Sequence, residues 1–469
     1  MRNKIIAAVF IIAVAVASVH LGNAIVGSPD LGLAILVGLL PASICVWIII
    51  KRKTDRVFLL KLFLVALVIR WAVAYIIYSR KMQSFFGADA ATYDSIGDTI
   101  SRVWQGTLQL APAYMESYMS TGKSGWGMYY LVAAIYYLIG HNPMAIQLIN
   151  CALGAAACIA VYKVAMLVYP QQRVARTAAL LTALSPSMIL WSSQLLKDAP
   201  IVLALSLCAL YTLKLREKFS IKSLLILLAL LLCLFTLRHY AFYIMFVAIA
   251  GSFLVTMKKF TPLQILQGGL IVVFISVALA YFGAGNVPQE AFDLKRIQMA
   301  RAWGAKVANT GFGGDVDITD PEAAISFLPV GLFYVLFAPF PWMITNLRQL
   351  ITLPELICWW ALVPMVMKGY WHAIRHRLKE SFAICVFTVG LTLAYALYQS
   401  NVGTAYRHRA QLYVFFFVFI SIGLELRRNA KQKKRGGAAL ARATPAPAAA
   451  GTSKLAGNPI GPELRNLKA

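Results

Sequence analysis

Acidic residues are scarce in this chain: 18 Asp and Glu against 44 Lys and Arg in 469 residues, with only 13% of positions charged and 60% hydrophobic. So few charges cannot solvate the surface of a soluble protein of this length, and apolar runs long enough to cross ~30 Å of hydrocarbon recur along most of it. Alternating apolar and polar strands are missing, which excludes a membrane β-barrel. Cysteine is sparse as well. All seven (Cys45, Cys151, Cys158, Cys208, Cys233, Cys358, Cys385) fall inside apolar stretches, without zinc-ligand spacing and away from loops where a disulfide framework would sit. There is no internal repeat of the kind that marks many transporters. What remains is an all-α, polytopic membrane protein.

The formal charge of +26 does not point to nucleic acid, because the cations sit in short loops between apolar runs and in the tail, the positive-inside pattern. Met1-Arg2-Asn3-Lys4 and the apolar run to about residue 19 read as a signal anchor rather than a cleaved signal peptide, because a second span at about 31–50 follows and stops at Lys51-Arg52-Lys53. Further spans are expected at about 57–78, 144–169, 175–191, 200–213, 223–237, 241–255, 263–282, 353–367, 382–398 and 412–424. The total is about 12, with 11 to 14 allowed. Basic loops at 171–176, 214–218, 258–259 and 368–379 then fall on one side, taken as cytoplasmic with both termini. Segment 126–140 reads as an interfacial or partly inserted helix, with a short span as the alternative, and 324–341 as re-entrant or interfacial. Arg70, in the middle of an expected span, is expected to pair with an ion or a carbonyl inside the bundle. The organisation is thus an N-terminal hairpin (1–56), a transmembrane domain (57–426) with external loops 79–142 and 283–350, and a basic Ala/Pro-rich tail (427–469), expected to be disordered and cytoplasmic.

Candidate functional residues cluster at span ends. Gly87-Ala88-Asp89-Ala90-Ala91-Thr92-Tyr93-Asp94 opens a polar segment just after the third expected span, and Asp89, Asp94 and Asp98 put three of the rare acids within ten residues. Acids at a membrane face are functional candidates by default; the plainer reading is that they solvate or cap an interfacial helix. Asp89 and Tyr93, four apart, share a helix face. The expected topology brings Lys123, Lys197-Asp198, Arg238-His239, Arg407 and Arg409 to the same side. The plainer readings here are a snorkelling Lys197 and solvated Arg407 and Arg409. Together, cations can hold a phosphate and a neighbouring carboxylate can take a proton from an attacking hydroxyl, which suits transfer from a lipid-phosphate donor.

An outward span followed by Asp89 four residues before Tyr93 resembles the first external loop of GT-C-fold glycosyltransferases that use polyprenyl-phosphate sugars, the group of the protein O-mannosyltransferases and the bacterial aminoarabinose transferase. Their Asp-Glu-x-x-Tyr segment carries the catalytic Asp; here Ala90 stands in place of the second acid, and Asp94 is the substitute. Lys123 ahead of Trp126-Gly127-Met128-Tyr129-Tyr130 is similar to the family's Lys before a Tyr-Tyr pair, without its prolines. Ser185-Pro186 with Lys197-Asp198 resembles its Ser-Pro helix and external Asp, and Asn401-Val402-Gly403 with Arg407 and Arg409 its Arg-containing loop before the last span. The likeness covers about 57–426. It implies a GT-C-like catalytic domain in the inner membrane of a bacterium, its active site facing the periplasm. There a sugar would pass, with inversion, from a polyprenyl-phosphate carrier to a glycan, lipid or protein acceptor, in cell-envelope glycan, polysaccharide or glycolipid synthesis. Asp89 would be the general base, with Asp94 as the second catalytic candidate. Lys123, Arg238, Arg407 and Arg409 would hold the donor phosphate, and Tyr93, Lys197, Asp198 and His239 complete the candidates. No cofactor is implied; a divalent metal has no ligand cage here. Membrane lipids are the other partners, and nucleic acid is not one. Three other readings stand beside it: a polymerase or ligase of polyprenyl-diphosphate-linked glycans with its site in 283–321 around Arg296 and Arg301, a transporter or flippase, and a non-catalytic scaffold.

Overall fold

The computed structural model describes residues 29–52, 54–87, 89–111, 114, 125–256, 293–308, 310–344 and 347–443. Within them the chain is helical, with one isolated bridge between Gly311 and Asn401. The helices are α1 (Pro29–Ile50), α2 (Arg56–Ser79), α3 (Asp89–Trp104), α4 (Trp126–Ile139), α5 (Pro143–Val168), α6 (Gln172–Leu184), α7 (Pro186–Ser192), α8 (Asp198–Glu217), α9 (Ile221–Leu237) and α10 (His239–Thr256). After the next described stretch begins come α11 (Leu294–Val307), α12 (Pro321–Phe337), α13 (Leu347–His376), α14 (Leu378–Tyr398), α15 (Val402–His408) and α16 (Ala410–Ala443). A single turn, Gln83–Phe86, links α2 to α3. Contacts divide the chain into Met1–Glu425 and Leu426–Ala469.

Seven described helices are long and apolar enough to cross a membrane, and the bent pair α6–α7 makes up to eight. Four shorter apolar helices, α4, α9, α10 and α12, accompany them. The chain is an all-α polytopic membrane protein. The spans expected near residues 5–19 and 263–282 lie outside the described residues. Segment 126–140 forms a 14-residue helix bracketed by Gly125 and Gly140, both at positive φ (94° and 81°); at 1.5 Å per residue it is only ~21 Å long. Within the expected disordered tail, residues 427–443 are the end of α16, which runs on through Lys431-Gln432-Lys433-Lys434-Arg435 to Ala443; 444–469 lie outside the described residues. Lys, Arg, Gln and Ala are strong helix formers and extend a helix once a span has nucleated it.

α5 is the hub, packed against α1, α2, α6 and α8. Its buried face is built from small residues (Cys151, Ala152, Gly154, Ala155, Ala157, Cys158), which lets backbones approach closely where lipid supplies no hydrophobic drive between helices. A Cβ at Gly154 would sit 2.5 Å from that of Ser192, so glycine there admits α7.

The 57° bend between α6 and α7 follows from Ser185-Pro186: proline removes a backbone donor and disfavours helix before it. Arg70, fully buried on α2, supplies donors at the break. Its guanidinium reaches Ser192 Oγ (2.9 Å), Ala183 O (3.1 Å), Thr182 O (3.3 Å) and Ala66 O (3.1 Å). Arg70 thus pairs with carbonyls inside the bundle, as expected.

Candidate active site

Three elements from distant parts of the sequence meet at one end of the bundle. The first is the start of α3, where Asp89 lies in the first turn, the place where the helix dipole favours an acid. Tyr93, one turn on, is buried, with its ring 5.3 Å from that of Tyr129 on α4. Burial, with Asp89 adding to it, pushes the Tyr93 hydroxyl above its ordinary range.

The second is the turn from Ser193 to Lys197. Asn150 of α5 donates from Nδ2 to Gln194 O (2.7 Å) and Leu196 O (2.8 Å), and Ser193 Oγ donates to Arg70 O (3.0 Å). Those bonds hold an irregular backbone among buried neighbours, where unsatisfied carbonyls would be costly. The turn delivers Lys197 and then Asp198, the first residue of α8. Gly125 packs against the ammonium group: a Cβ there would lie 2.4 Å from Lys197 Nζ, and its φ of +94° is one that few other residues tolerate.

The third is the turn into α15. Asn401 caps that helix by accepting from Gly403 N (2.9 Å), and it also receives Thr310 Oγ1 (3.0 Å). Backbone bonds Phe312 N to Ser400 O (2.8 Å) and Val402 N to Thr310 O (3.0 Å) tie the second polar segment to this turn. α15 places Arg407 between two carboxylates. Its Nε donates to Asp198 Oδ2 and its Nη1 to Asp89 Oδ2, each at 2.7 Å. Arg238, at the end of α9, approaches Asp198 Oδ1 at 3.9 Å and Tyr395 Oη at 3.5 Å. Tyr395 donates in turn to Gln411 Oε1 (3.0 Å). Asp198 and Arg238 are almost fully buried, whereas the Asp89 side chain is 56% exposed.

Charge does not balance here. Arg238, Arg407 and Lys197 stand against Asp89 and Asp198, three cations to two carboxylates. Among the described residues Lys197 has no carboxylate within ion-pair distance. Its burial first, and then the repulsion of Arg238 and Arg407, pull its pKa from 10.5 down to about 7, against the attraction of Asp198 and Asp89. His408, behind the cluster, is held neutral by burial and by the same three cations; Gln399 Nε2 accordingly meets its Nδ1 at 2.8 Å.

Not every expected residue joins. Asp94 faces away, accepting from Tyr136 Oη (2.5 Å) and pairing with His141 Nε2 (3.0 Å). Arg409 is fully buried elsewhere, donating from Nε to Val335 O (2.8 Å) and from Nη2 to Ala338 O (2.5 Å), the carbonyls at the end of α12. His239 stacks on Phe235 with centroids 4.7 Å apart, and stays near enough to Lys197 to feel its charge. Lys123 lies outside the described residues. Arg301 is enclosed within the second polar segment, donating to Gly313 O (2.7 Å) over the Phe327 ring.

Glu355 was absent from the sequence-derived candidates. This buried carboxylate on α13 accepts from Ser185 Oγ (2.5 Å), Ser187 N (2.9 Å), Ser187 Oγ (2.7 Å) and Tyr406 Oη. It therefore joins the Ser-Pro break to the residue next to Arg407. A single acid beside a proline in an apolar helix, Pro354-Glu355, was the signal that could have revealed it. Among the described residues no group of three His, Cys, Asp or Glu side chains could hold a metal ion.

Buried guanidinium–carboxylate pairs thus meet at the ends of apolar helices in an all-α polytopic membrane chain, and one stretch of that chain is similar to a known family. The model of one family, described as dolichyl-phosphate-mannose-protein mannosyltransferase, matches residues 124–282. The match takes in Lys197, Asp198, Arg238 and His239 and leaves Asp89 and Arg407 on either side of it. No curated protein and no solved structure matches the chain.

Proposed function

We propose that this protein transfers a sugar from a polyprenyl-phosphate carrier to a glycan, lipid or protein acceptor, at the periplasmic face of a bacterial inner membrane. Supporting this are the surplus cation beside the Arg407 pairs, which calls for one anion, and the sidedness of the basic loops. The donor's phosphodiester supplies one negative charge, and Lys197, Arg238 and Arg407 surround the place for it. Asp198 takes no part in proton transfer; it orients both guanidinium groups.

The reaction breaks the bond between the sugar's anomeric carbon and the phosphate oxygen, and forms one from that carbon to the acceptor oxygen on the opposite face. Asp89 takes the acceptor's proton through Oδ1, which has no protein partner among the described residues, on a side chain that is 56% exposed. The second charge developing on the departing phosphate is stabilised by the cations already in place. Arg407 links the two halves. Without donor its Nη1 ties up Asp89; a donor phosphate competes for that guanidinium and releases the carboxylate, so the base becomes fully available only when there is a sugar to transfer.

The test is sugar release from a panel of polyprenyl-phosphate sugars by the purified protein in liposomes. Asp89→Asn should lose about 10²–10⁴-fold in turnover, the usual worth of a positioned base, while still retaining donor. Undiminished turnover in that variant removes the base assignment, and failure of every donor removes the carrier class.

A further inference from the structure

At the other end of the bundle lies a second, unrelated concentration of charge. α2 runs from Arg56 to Ser79, so its first turn is ~36 Å from the active-site end. A cleft of about 690 Å³ opens there, lined by Ile50, Lys51, Arg52, Asp55, Arg56, Val57, Phe58 and Arg176. Four cations share it with one carboxylate, and that carboxylate is already engaged: Asp55 accepts from Arg176 and from Tyr162. Arg52 adds its field to that of Lys163 and Lys214, which lie close enough to sense it. Asp55 sits at φ 55° and makes no side-chain cap bond to the start of α2. Both α1 and α2 carry exposed apolar side chains, with Ile44 at 59%, Trp47 at 57%, Val57 at 61% and Val68 at 63%.

We propose that this cleft binds the phosphate of an anionic glycerophospholipid, with the acyl chains lying along α1 and α2. A phosphate monoester or diester is the ligand that four clustered cations recognise. The lipid source follows from position: the cleft is at the level where two spans end, and both carry exposed apolar side chains. Phosphate groups of a leaflet occupy that depth, and basic pockets between spans are where anionic headgroups settle. Under the topology inferred from the basic loops the leaflet is the cytoplasmic one, which is also the side of the other basic loops.

The experiment is native mass spectrometry of the full chain, incubated separately with phosphatidylglycerol, phosphatidylcholine and soluble glycerol 3-phosphate. Phosphatidylglycerol should be retained in preference to phosphatidylcholine in the wild type, a comparison that needs no variant. Lys51→Gln/Arg56→Gln removes two exposed cations and leaves the Asp55–Arg176 pair intact; it should bind phosphatidylglycerol about 30-fold more weakly, at the usual strength of a lipid-facing cation. Lys218→Gln/Lys222→Gln, which lies outside the cleft, should bind as the wild type does. Equal retention of the two lipids, an unchanged double variant, or an equal loss in the control overturns the assignment. Displacement of the lipid by glycerol 3-phosphate at equal concentration overturns the lipid source and leaves a soluble phosphate as ligand.

Discussion

Lys197 makes opposite demands on binding and on stability as pH changes, and both can be measured. Its pKa of about 7 means that about half the molecules carry this charge at pH 7, about a tenth at pH 8 and about a hundredth at pH 9. A donor phosphodiester keeps its single charge across that range, so tight binding requires Lys197 to take up a proton. Attraction between ammonium and phosphate at 4 Å is about 4 kcal/mol at an effective dielectric of 20, enough to raise the pKa in the complex by about 3. Donor affinity should therefore be flat below pH 7 and fall by up to about tenfold per pH unit from about pH 7.5 to 9.5. Folding has the reverse sign. The unfolded chain holds this proton up to about 10.5 and the folded chain only to about 7. The cost of burying the charge is thus fully present below pH 7 and fades as pH rises to 10.5, so this residue makes stability increase across the window in which binding weakens. Donor KM against pH and thermal unfolding against pH are the assays. Lys197→Arg keeps the charge at every pH and should abolish the slope in KM; Lys197→Met should bind weakly throughout and lack the wild type's gain in stability above pH 7. A flat wild-type KM, or a slope that persists in Lys197→Arg, refutes the assignment of the surplus charge to this residue.

Other outcomes follow from the pairs described above. Asp198→Ala leaves two buried guanidinium groups short of their carboxylate and should cost about 3–5 kcal/mol, read as a lowered unfolding temperature together with lost turnover. Glu355→Ala strands the four donors from Ser185, Ser187 and Tyr406 and should destabilise by about 1–3 kcal/mol for each one that finds no other partner; Glu355→Gln should recover part of it in the same unfolding assay. Gly125→Ala should displace the Lys197 ammonium and raise donor KM with little change in turnover, whereas Gly140→Ala, at a similar φ but in open space, should leave donor KM unchanged.

The transmembrane character was legible because span length and loop charge are properties of the chain itself. The residues around Asp89 were legible for a related reason: an acid, a lysine or an arginine at the end of an apolar run has few structural excuses. Helical phase was not legible. Asp94 follows Asp89 by five residues, about 140° round the helix, and so meets Tyr136 and His141 instead of Arg407. Arg409 is two residues past Arg407 and ends on the carbonyls of α12, a partner set by the fold and absent from local sequence. Glu355 escaped because its donors come from two other segments, 168 to 170 residues upstream and 51 residues downstream.

The bond from Arg407 to Asp89 closes a separation of 318 residues, and this bears on how the protein comes into being. During synthesis Asp89 and Asp198 enter the membrane long before Arg407, the residue that bonds to both, is made, although Arg238 follows Asp198 sooner. At the ~5–20 residues per second of translation, the 209 residues from Asp198 to Arg407 take ~10–40 seconds. For that interval the two carboxylates lack the guanidinium group that they share in the finished fold. A ribosome that stops before α15 leaves a chain already anchored by many spans but lacking Arg407, so under the proposed function no truncated form should release sugar from a carrier. The cluster of paired charges is completed by one of the last helices to be threaded.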